Sequence, residues 1–125
     1  RLADVSLMIA ESILRGGSYG EYTGTDAALG CVNAVRERAY GSTAGNINVA
    51  QLNLQFILDE RGRELYWESV RRTDLIRFGK FTGGDYVWQW KGGVLDGRAT
   101  DSKYNVYPIP TAELSANPNL KNDNY

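Results

Sequence analysis

The chain has 125 residues, and its 14 Lys and Arg residues nearly balance its 15 Asp and Glu residues, giving a formal net charge of -1. This balance argues against nucleic acid as a partner, because proteins that bind nucleic acid carry a basic excess. The chain contains no histidine, which removes the usual general base near neutral pH, the usual zinc ligand and every Ser-His or Cys-His pair.

The first predicted helix opens the chain and ends at Gly16 and Gly17. Its apolar residues form two stripes at helical spacing, Leu2, Val5, Ile9 and Ile13 on one and Ala3, Leu7, Ala10 and Leu14 on the other. A helix with two apolar stripes is expected to pack against neighbours on both sides. Because the chain has no initiator Met and begins inside this pattern, we expect it to be a piece of a longer protein.

The second predicted helix begins near Thr25 or Asp26, either of which can cap free backbone N–H groups. It ends at Gly41 and carries apolar residues at three-to-four spacing, namely Ala28, Val32, Val35 and Ala39. Cys31 is the only cysteine, so it cannot form a disulfide within the chain. Its apolar neighbours indicate a buried structural thiol.

The third predicted helix opens at Asn48, where Gln51 completes a capping-box pattern, and runs to about Arg72. It again has two apolar faces, so Trp67 is expected to be buried within it. Three predicted helices, of which the first and third have two apolar faces, predict a mainly all-α fold of stacked antiparallel helices of tetratricopeptide-like type with long loops.

The segment after Gly79 is rich in glycine and too long for an ordinary connector, so it is either functional or a covering flap. Tyr86, Trp88 and Trp90 alternate with other residues, which predicts a short β-hairpin near 86–95 with its turn at Gly92-Gly93. The prolines at 108, 110 and 118 keep the tail extended.

The acidic row Glu60, Glu64 and Glu68 superficially resembles the carboxylate pair of a retaining glycosidase. Nearby arginines would keep these carboxylates ionised, whereas a glycosidase needs one of them protonated. We therefore assign no catalytic residue and no metal site. The interpretation that explains more of the pattern is a structural ion-pair network made of Glu60, Arg61, Glu64, Glu68, Arg72 and Asp74.

Four ordered segments resemble the C-terminal part of the RagB/SusD family of nutrient-binding lipoproteins: "RLADVSLMIAESILRGG", "CVNAVRERAY", "ILDERGRELYWESVRRTDLIRFGKF" and "YPIPTAELSANPNL". The strongest is the run from Glu60 to Arg77. The ending "KNDNY" departs from the family's usual Gln-Asn-Pro-Gly-aromatic close. Cys31 is not the family's lipidated cysteine, which is expected upstream of Arg1.

The resemblance implies that residues 1–125 are the C-terminal portion of a SusD-like domain. It also implies a cell-surface protein of the outer membrane that binds glycans or related nutrients without catalysis, cofactor or metal. The expected partners are a glycan ligand and a SusC-like TonB-dependent transporter. Membrane association would come only from a lipid anchor outside these residues.

A sugar site in this chain is best placed at Tyr86, Trp88, Trp90, Asp96 and Arg98. Aromatic faces pack against the C–H faces of a pyranose, and polar groups at the edge bind its hydroxyls. The alternative is that these aromatics cover the helical core. In that case the chain would dock the transporter, and upstream residues would contact the ligand.

Overall fold

The computed structural model describes residues 1–123 and 125. These residues form five α-helices, α1 (Leu2–Leu14), α2 (Gly24–Tyr40), α3 (Leu54–Glu64), α4 (Arg71–Arg77) and α5 (Thr111–Ala116). Short 3-10 turns lie at Thr43–Gly45, Val49–Gln51, Lys91–Gly93 and Ser102–Asn105. The predicted mainly helical fold class is confirmed, and no helix in the described part of the chain has the length and apolar character needed to cross a membrane.

The chain divides into two compact units, Arg1–Arg71 and Arg72–Tyr125. In the first unit α1 packs against both α2 and α3. The largest apolar side chains withdrawn from solvent are Leu7 of α1, Val32 of α2, and Ile57 and Leu58 of α3. One predicted stripe of α1, which includes Leu7 and Ala10, therefore forms the core.

The other predicted stripe of α1 is only partly covered within the described residues. Leu2 is 82% exposed and Val5 is 43% exposed, and Met8 beside them is 46% exposed. Ile9 and Ile13 of the same stripe are half-buried, so the expectation that both stripes pack against neighbours holds only in part among the described residues.

Helix α2 ends where the sequence predicts, because Gly41 adopts a left-handed φ of 67° that a side chain would disfavour. Its start differs from the prediction, since Thr23 is the N-cap residue and Thr25 and Asp26 lie in the first turn. Cys31 is half-buried, and this burial raises the pKa of its thiol.

The long helix predicted from Asn48 to Arg72 is wrong. The capping box of Asn48 and Gln51 is present, but it caps only the 3-10 turn Val49–Gln51. A second cap follows, in which Asn53 Oδ1 accepts from the backbone N–H of Phe56 at 2.9 Å and starts α3.

The chain leaves the helix after Glu64 because Trp67 and Ser69 adopt positive φ angles of 65° and 62°. It then returns, so that Arg71 Nη1 donates to the carbonyl of Leu58 at 2.6 Å. A Cβ atom at Gly62 would lie 2.9 Å from Arg71 Nη1, so glycine permits this close approach.

The second unit contains α5, nearly all of α4, and long loops. The β-hairpin predicted near 86–95 is not formed, because Trp90 and Gly92 adopt left-handed φ angles of 68° and 66° and a 3-10 turn occupies 91–93. The loop is instead closed by an isolated bridge between Gly83 and Thr100.

Candidate functional site

The second unit contains a cavity of about 540 Å³, which we call the aromatic cavity. Its size lies within the range typical of small-molecule sites. Its lining combines the first turn of α4, the loop after Gly79 and the tail, and consists of Arg72, Phe81, Trp88, Trp90, Lys91, Gly92, Thr100, Tyr104, Val106, Tyr107, Pro108 and Tyr125.

Two tryptophans give the aromatic cavity an inner and an outer aromatic surface. Trp88 is half-buried, and its ring stacks on Phe81 with centroids 6.2 Å apart and planes inclined by 30°. Trp90 is 65% exposed and has a left-handed backbone with a φ of 68°. The cavity therefore has one fixed ring and one ring accessible from solvent.

Arg72 occupies the wall formed by α4. Its guanidinium carbon lies 3.9 Å from the ring centroid of Tyr107 and 4.9 Å from that of Phe81. Its Nη2 donates to the carbonyls of Tyr104 and Asn105 at 2.8 and 3.3 Å. These contacts join α4 to the tail and fix a positive charge at the cavity.

Lys91 is a buried lysine in the floor of the aromatic cavity, only 3% exposed. Its Nζ donates to the Tyr86 carbonyl at 2.6 Å and reaches the carbonyls of Lys80 and Thr82 at 3.5 Å. It also lies 4.7 Å from the Trp88 ring centroid. Carbonyl dipoles and an aromatic face thus compensate this charge in place of a carboxylate.

Two residues of the "KNDNY" ending hold the tail in place through hydrogen bonds to its backbone. The single O–H of Tyr125 is shared between two carbonyl acceptors, with Oη 2.6 Å from that of Val106 and 3.0 Å from that of Lys103. Asn122 exchanges two hydrogen bonds with the backbone of Ile109, at 2.8 and 3.0 Å. This ending therefore forms part of the cavity without the Pro and Gly of the family's usual close.

The structure brings together some of the residues predicted to bind sugar. Trp88 and Trp90 line the aromatic cavity, and Tyr86 contacts Trp88 with ring centroids 6.2 Å apart. Arg98 donates through Nε to the carbonyl of the lining residue Gly92 at 3.0 Å. Asp96 is exposed and is not part of the lining.

Sequence reasoning missed several lining residues, of which Arg72, Tyr104, Tyr107 and Tyr125 matter most. The three tyrosines lie in the tail, which we interpreted only as an extended segment. Three tyrosines within 22 residues beside prolines were the available signal.

The acidic row lies in ion pairs of the first unit, and these draw on other helices. Glu60 is 5% exposed and accepts from Arg36 Nη1 and Arg63 Nη2, both at 2.7 Å. Glu64 accepts from Arg38 Nη2 at 2.5 Å and from Arg1 Nη1 at 3.1 Å. These contacts neutralise the charges of Glu60 and Glu64. The general acid of a glycosidase instead needs a carboxyl group in an apolar site, and neither of these two lies in one.

The other members of the predicted network are distributed differently. Arg61 donates to Asp4 at 2.7 Å, Glu68 accepts from Arg1 at 2.5 Å, and buried Asp74 pairs with Arg77 at 3.0 Å. Arg72 departs from the prediction, because its contacts are the carbonyls and rings of the aromatic cavity.

The first unit has a second cavity of about 660 Å³ beside Trp67. Trp67 is 87% exposed and Tyr66 is 76% exposed, so the predicted burial of Trp67 is wrong. The three arginines of this cavity are engaged by protein groups, Arg61 by Asp4, Arg63 by Glu60 and Arg71 by the carbonyl of Leu58. This leaves them less free than Arg72 to bind a ligand.

Comparison with known proteins identifies the family. The sequence profile described as the SusD family matches residues 1–125. The chain belongs to the SusD family. It is 40% identical over 126 residues to the starch-binding protein SusD of Bacteroides thetaiotaomicron, a match that covers 100% of this chain and 21% of that protein.

A second relative is the SusD-like protein P25 of Formosa agariphila. It is 38% identical over 125 residues, which cover 96% of this chain and 22% of that protein. The chain thus spans about a fifth of the length of these SusD-family relatives. The resemblance stated from the four sequence segments is confirmed.

Proposed function

We propose that this SusD-family chain binds glycans noncovalently at the aromatic cavity. The observation that carries the proposal is the pairing of a fixed ring, Trp88, with an accessible ring, Trp90, in one concave site. The C–H faces of a pyranose pack on such rings, which hold sugars without any covalent step.

Polar groups suited to sugar hydroxyls surround these rings. The lining offers the hydroxyl groups of Thr100, Tyr104 and Tyr107, together with the guanidinium of Arg72. Hydroxyl groups can both donate and accept, and they therefore match the mixed character of a sugar. The site would select a ligand by ring stacking and by the pattern of its edge groups.

In the whole protein, this binding would serve nutrient capture on the cell-surface side of the outer membrane. We infer that residues 1–125 are the C-terminal portion of a SusD-like domain. The complete lipoprotein would deliver its glycan to a SusC-like TonB-dependent transporter and perform no chemistry on it. Family membership and a starch-binding relative support this assignment.

A second candidate function is docking to the transporter. The exposed apolar residues of the first unit favour it, because Leu2 and Trp67 are more than four-fifths exposed at 82% and 87%. Large apolar side chains exposed to solvent can mark interaction surfaces. In this case ligand contacts would come from upstream parts of the protein.

Native affinity electrophoresis separates the two candidates. The protein would be run through gels that contain plant, host and microbial polysaccharides, and retardation would be compared between Trp90→Ala and Trp67→Ala. These two tryptophans form a matched pair, because both are exposed and both have positive φ angles, 68° and 65°.

The proposal predicts retardation by at least one glycan, lost in Trp90→Ala and kept in Trp67→Ala. Loss in Trp67→Ala alone would move the ligand site to the first unit. No retardation by any glycan would contradict the proposal and favour docking.

A further inference from the structure

We propose that the aromatic cavity takes an acidic sugar, one that carries a carboxylate or a sulfate ester. This inference rests on the glycan binding proposed above and adds the charge of the ligand. It follows from the cationic side chains that line the cavity and from the lack of acidic side chains among its described lining residues.

The described lining residues include two cationic side chains, Arg72 and Lys91, and no Asp or Glu side chain. A third cation lies beside them, because Lys103 Nζ is 5.3 Å from the Tyr104 ring centroid and 5.4 Å from that of Tyr125. Both rings face the cavity. The local charge is therefore positive although the whole chain has a net charge of -1.

The carboxylates closest along the chain have other partners. Asp85 accepts from Lys80 Nζ at 2.6 Å, and Asp101 accepts from the backbone N–H of Lys103 at 2.9 Å. Within the described residues, neither Arg72 nor Lys91 forms an ion pair, and all of their contacts are carbonyls or rings. The pKa of Asp85 is lowered first by Lys80 and further by the charge of Lys91, so the charge of Lys91 is partly balanced by that carboxylate. The contacts of Arg72 with the described residues include no carboxylate. An anionic ligand would therefore be attracted to Arg72.

Arg72 also has donor capacity that faces solvent. Its Nη2 is occupied by two carbonyls, whereas its Nη1 has no acceptor among the described residues. No buried side-chain nitrogen or oxygen in the described part of the chain lacks a partner, so Nη1 is accessible to solvent. A guanidinium N–H that is accessible to solvent and has no protein acceptor is suited to a carboxylate or sulfate oxygen.

The cavity thus combines a ring for the sugar face with a cation for an acidic substituent. Lys91 supplies charge but not free donors, because its three N–H groups point at three carbonyls. Arg72 is therefore the residue that would contact the acidic group directly.

The test compares pairs of polysaccharides that differ in charge alone. One pair is polygalacturonate and its methyl-esterified form, and the other is dextran sulfate and dextran. Apparent affinities would be measured by affinity electrophoresis for the unaltered protein, Arg72→Gln and Lys121→Gln. Lys121 is an exposed lysine of the same unit outside the lining, so it controls for net charge.

We expect the charged member of at least one pair to bind about tenfold more tightly than its neutral partner, since hydrogen bonds to charged groups have that strength. The advantage should fall as NaCl is raised and should be lost in Arg72→Gln but not in Lys121→Gln. Tighter binding of polygalacturonate than of its methyl ester would indicate a carboxylate ligand, and tighter binding of dextran sulfate than of dextran would indicate a sulfate ester.

Equal binding within both pairs, or retention by neutral glycans alone, would overturn the acidic ligand and leave glycan binding intact. An equal loss in the two variants would overturn the role of Arg72. If no polysaccharide of either charge is retained, glycan binding itself fails, and the acidic ligand fails with it. The pairs are informative on the unaltered protein even if Arg72→Gln does not fold.

Discussion

Lys91 donates a 2.6 Å hydrogen bond from its buried ammonium to the carbonyl of Tyr86, five residues earlier. This contact explains how a glycine-rich loop without strands holds a defined shape. The loop lacks the hydrogen bonds of paired strands, and the ammonium instead binds several of its backbone carbonyls at one point. The position of Trp88, whose ring packs on the same ammonium, depends on it.

Replacing Lys91 by Met should destabilise the second unit. The substitution keeps the apolar stem but removes the charge-assisted hydrogen bond from Nζ to the Tyr86 carbonyl, at a cost of about 1 to 3 kcal/mol. Urea unfolding followed by tryptophan fluorescence would measure the change. Lys121→Met, at an exposed position, is the control and should change little. Equal stability of the two variants would show that the buried ammonium does not hold the loop.

Glu60→Gln should destabilise the first unit. The Glu60 side chain is 7% exposed and that of its partner Arg36 is 13% exposed, so the substitution leaves a nearly buried guanidinium without its counter-ion. We expect the free energy of unfolding to fall by about 3 kcal/mol, the lower end of the range for breaking a buried ion pair. The exposed Glu21→Gln is the control. A decrease in the free energy of unfolding no larger than that of the control would mean that solvent screens the ion pair of Arg36 and Glu60.

Two glycines of the second helix should respond with opposite signs to the same substitution. Gly30 lies inside α2 with open space around it, so Gly30→Ala should stabilise the protein by about 1 kcal/mol. Gly41 has a φ of 67°, so Gly41→Ala should destabilise it by about 1 to 2 kcal/mol. Thermal unfolding would measure both, and changes of the same sign would contradict the helix end at Gly41.

Asp85 should titrate below the ordinary range of an aspartate. The hydrogen bond and charge of Lys80 lower the pKa of this carboxyl. A carboxyl with a lowered pKa in the folded state adds stability above its ordinary pKa, and this contribution disappears as the pH falls through the lowered value. The change of stability with pH that this group causes is thus confined to acidic solution, below about pH 4, and at higher pH its contribution is constant.

Lys80→Met should therefore raise the pKa of Asp85 toward its usual value. Carbon-13 NMR of the carboxyl group across an acid titration would measure it, with Lys121→Met as the control. An unchanged titration of Asp85 in Lys80→Met would show that the 2.6 Å contact does not persist in solution.

The sequence predicted features that depend on neighbours along the chain. The ends of α1 and α2 follow from glycines, and the capping box of Asn48 and Gln51 follows from their spacing. The long third helix failed for a physical reason. Apolar periodicity runs unbroken past Leu65, and nothing in it reveals that Trp67 and Ser69 adopt positive φ angles.

Features made by distant residues could not be read from spacing. Arg61 and Asp4 are 57 positions apart, and Arg36 and Glu60 are 24 apart, so helical rows predicted charge neutralisation but not its partners. The aromatic cavity shows the same limit. The sequence predicted that Trp88 and Trp90 bind sugar because they are aromatic, and both line the cavity. Arg72 and Tyr107 come together only because the tail returns to α4, which spacing does not reveal.

The most direct measurement of glycan binding uses the three tryptophans of the chain as separate probes. Nitrogen-15 NMR would follow their indole N–H signals while each glycan of the panel is added. Binding at the aromatic cavity predicts that the signals of Trp88 and Trp90 shift with at least one glycan while that of Trp67 does not. Three signals that stay unchanged with every glycan, or a shift of Trp67 alone, would contradict it.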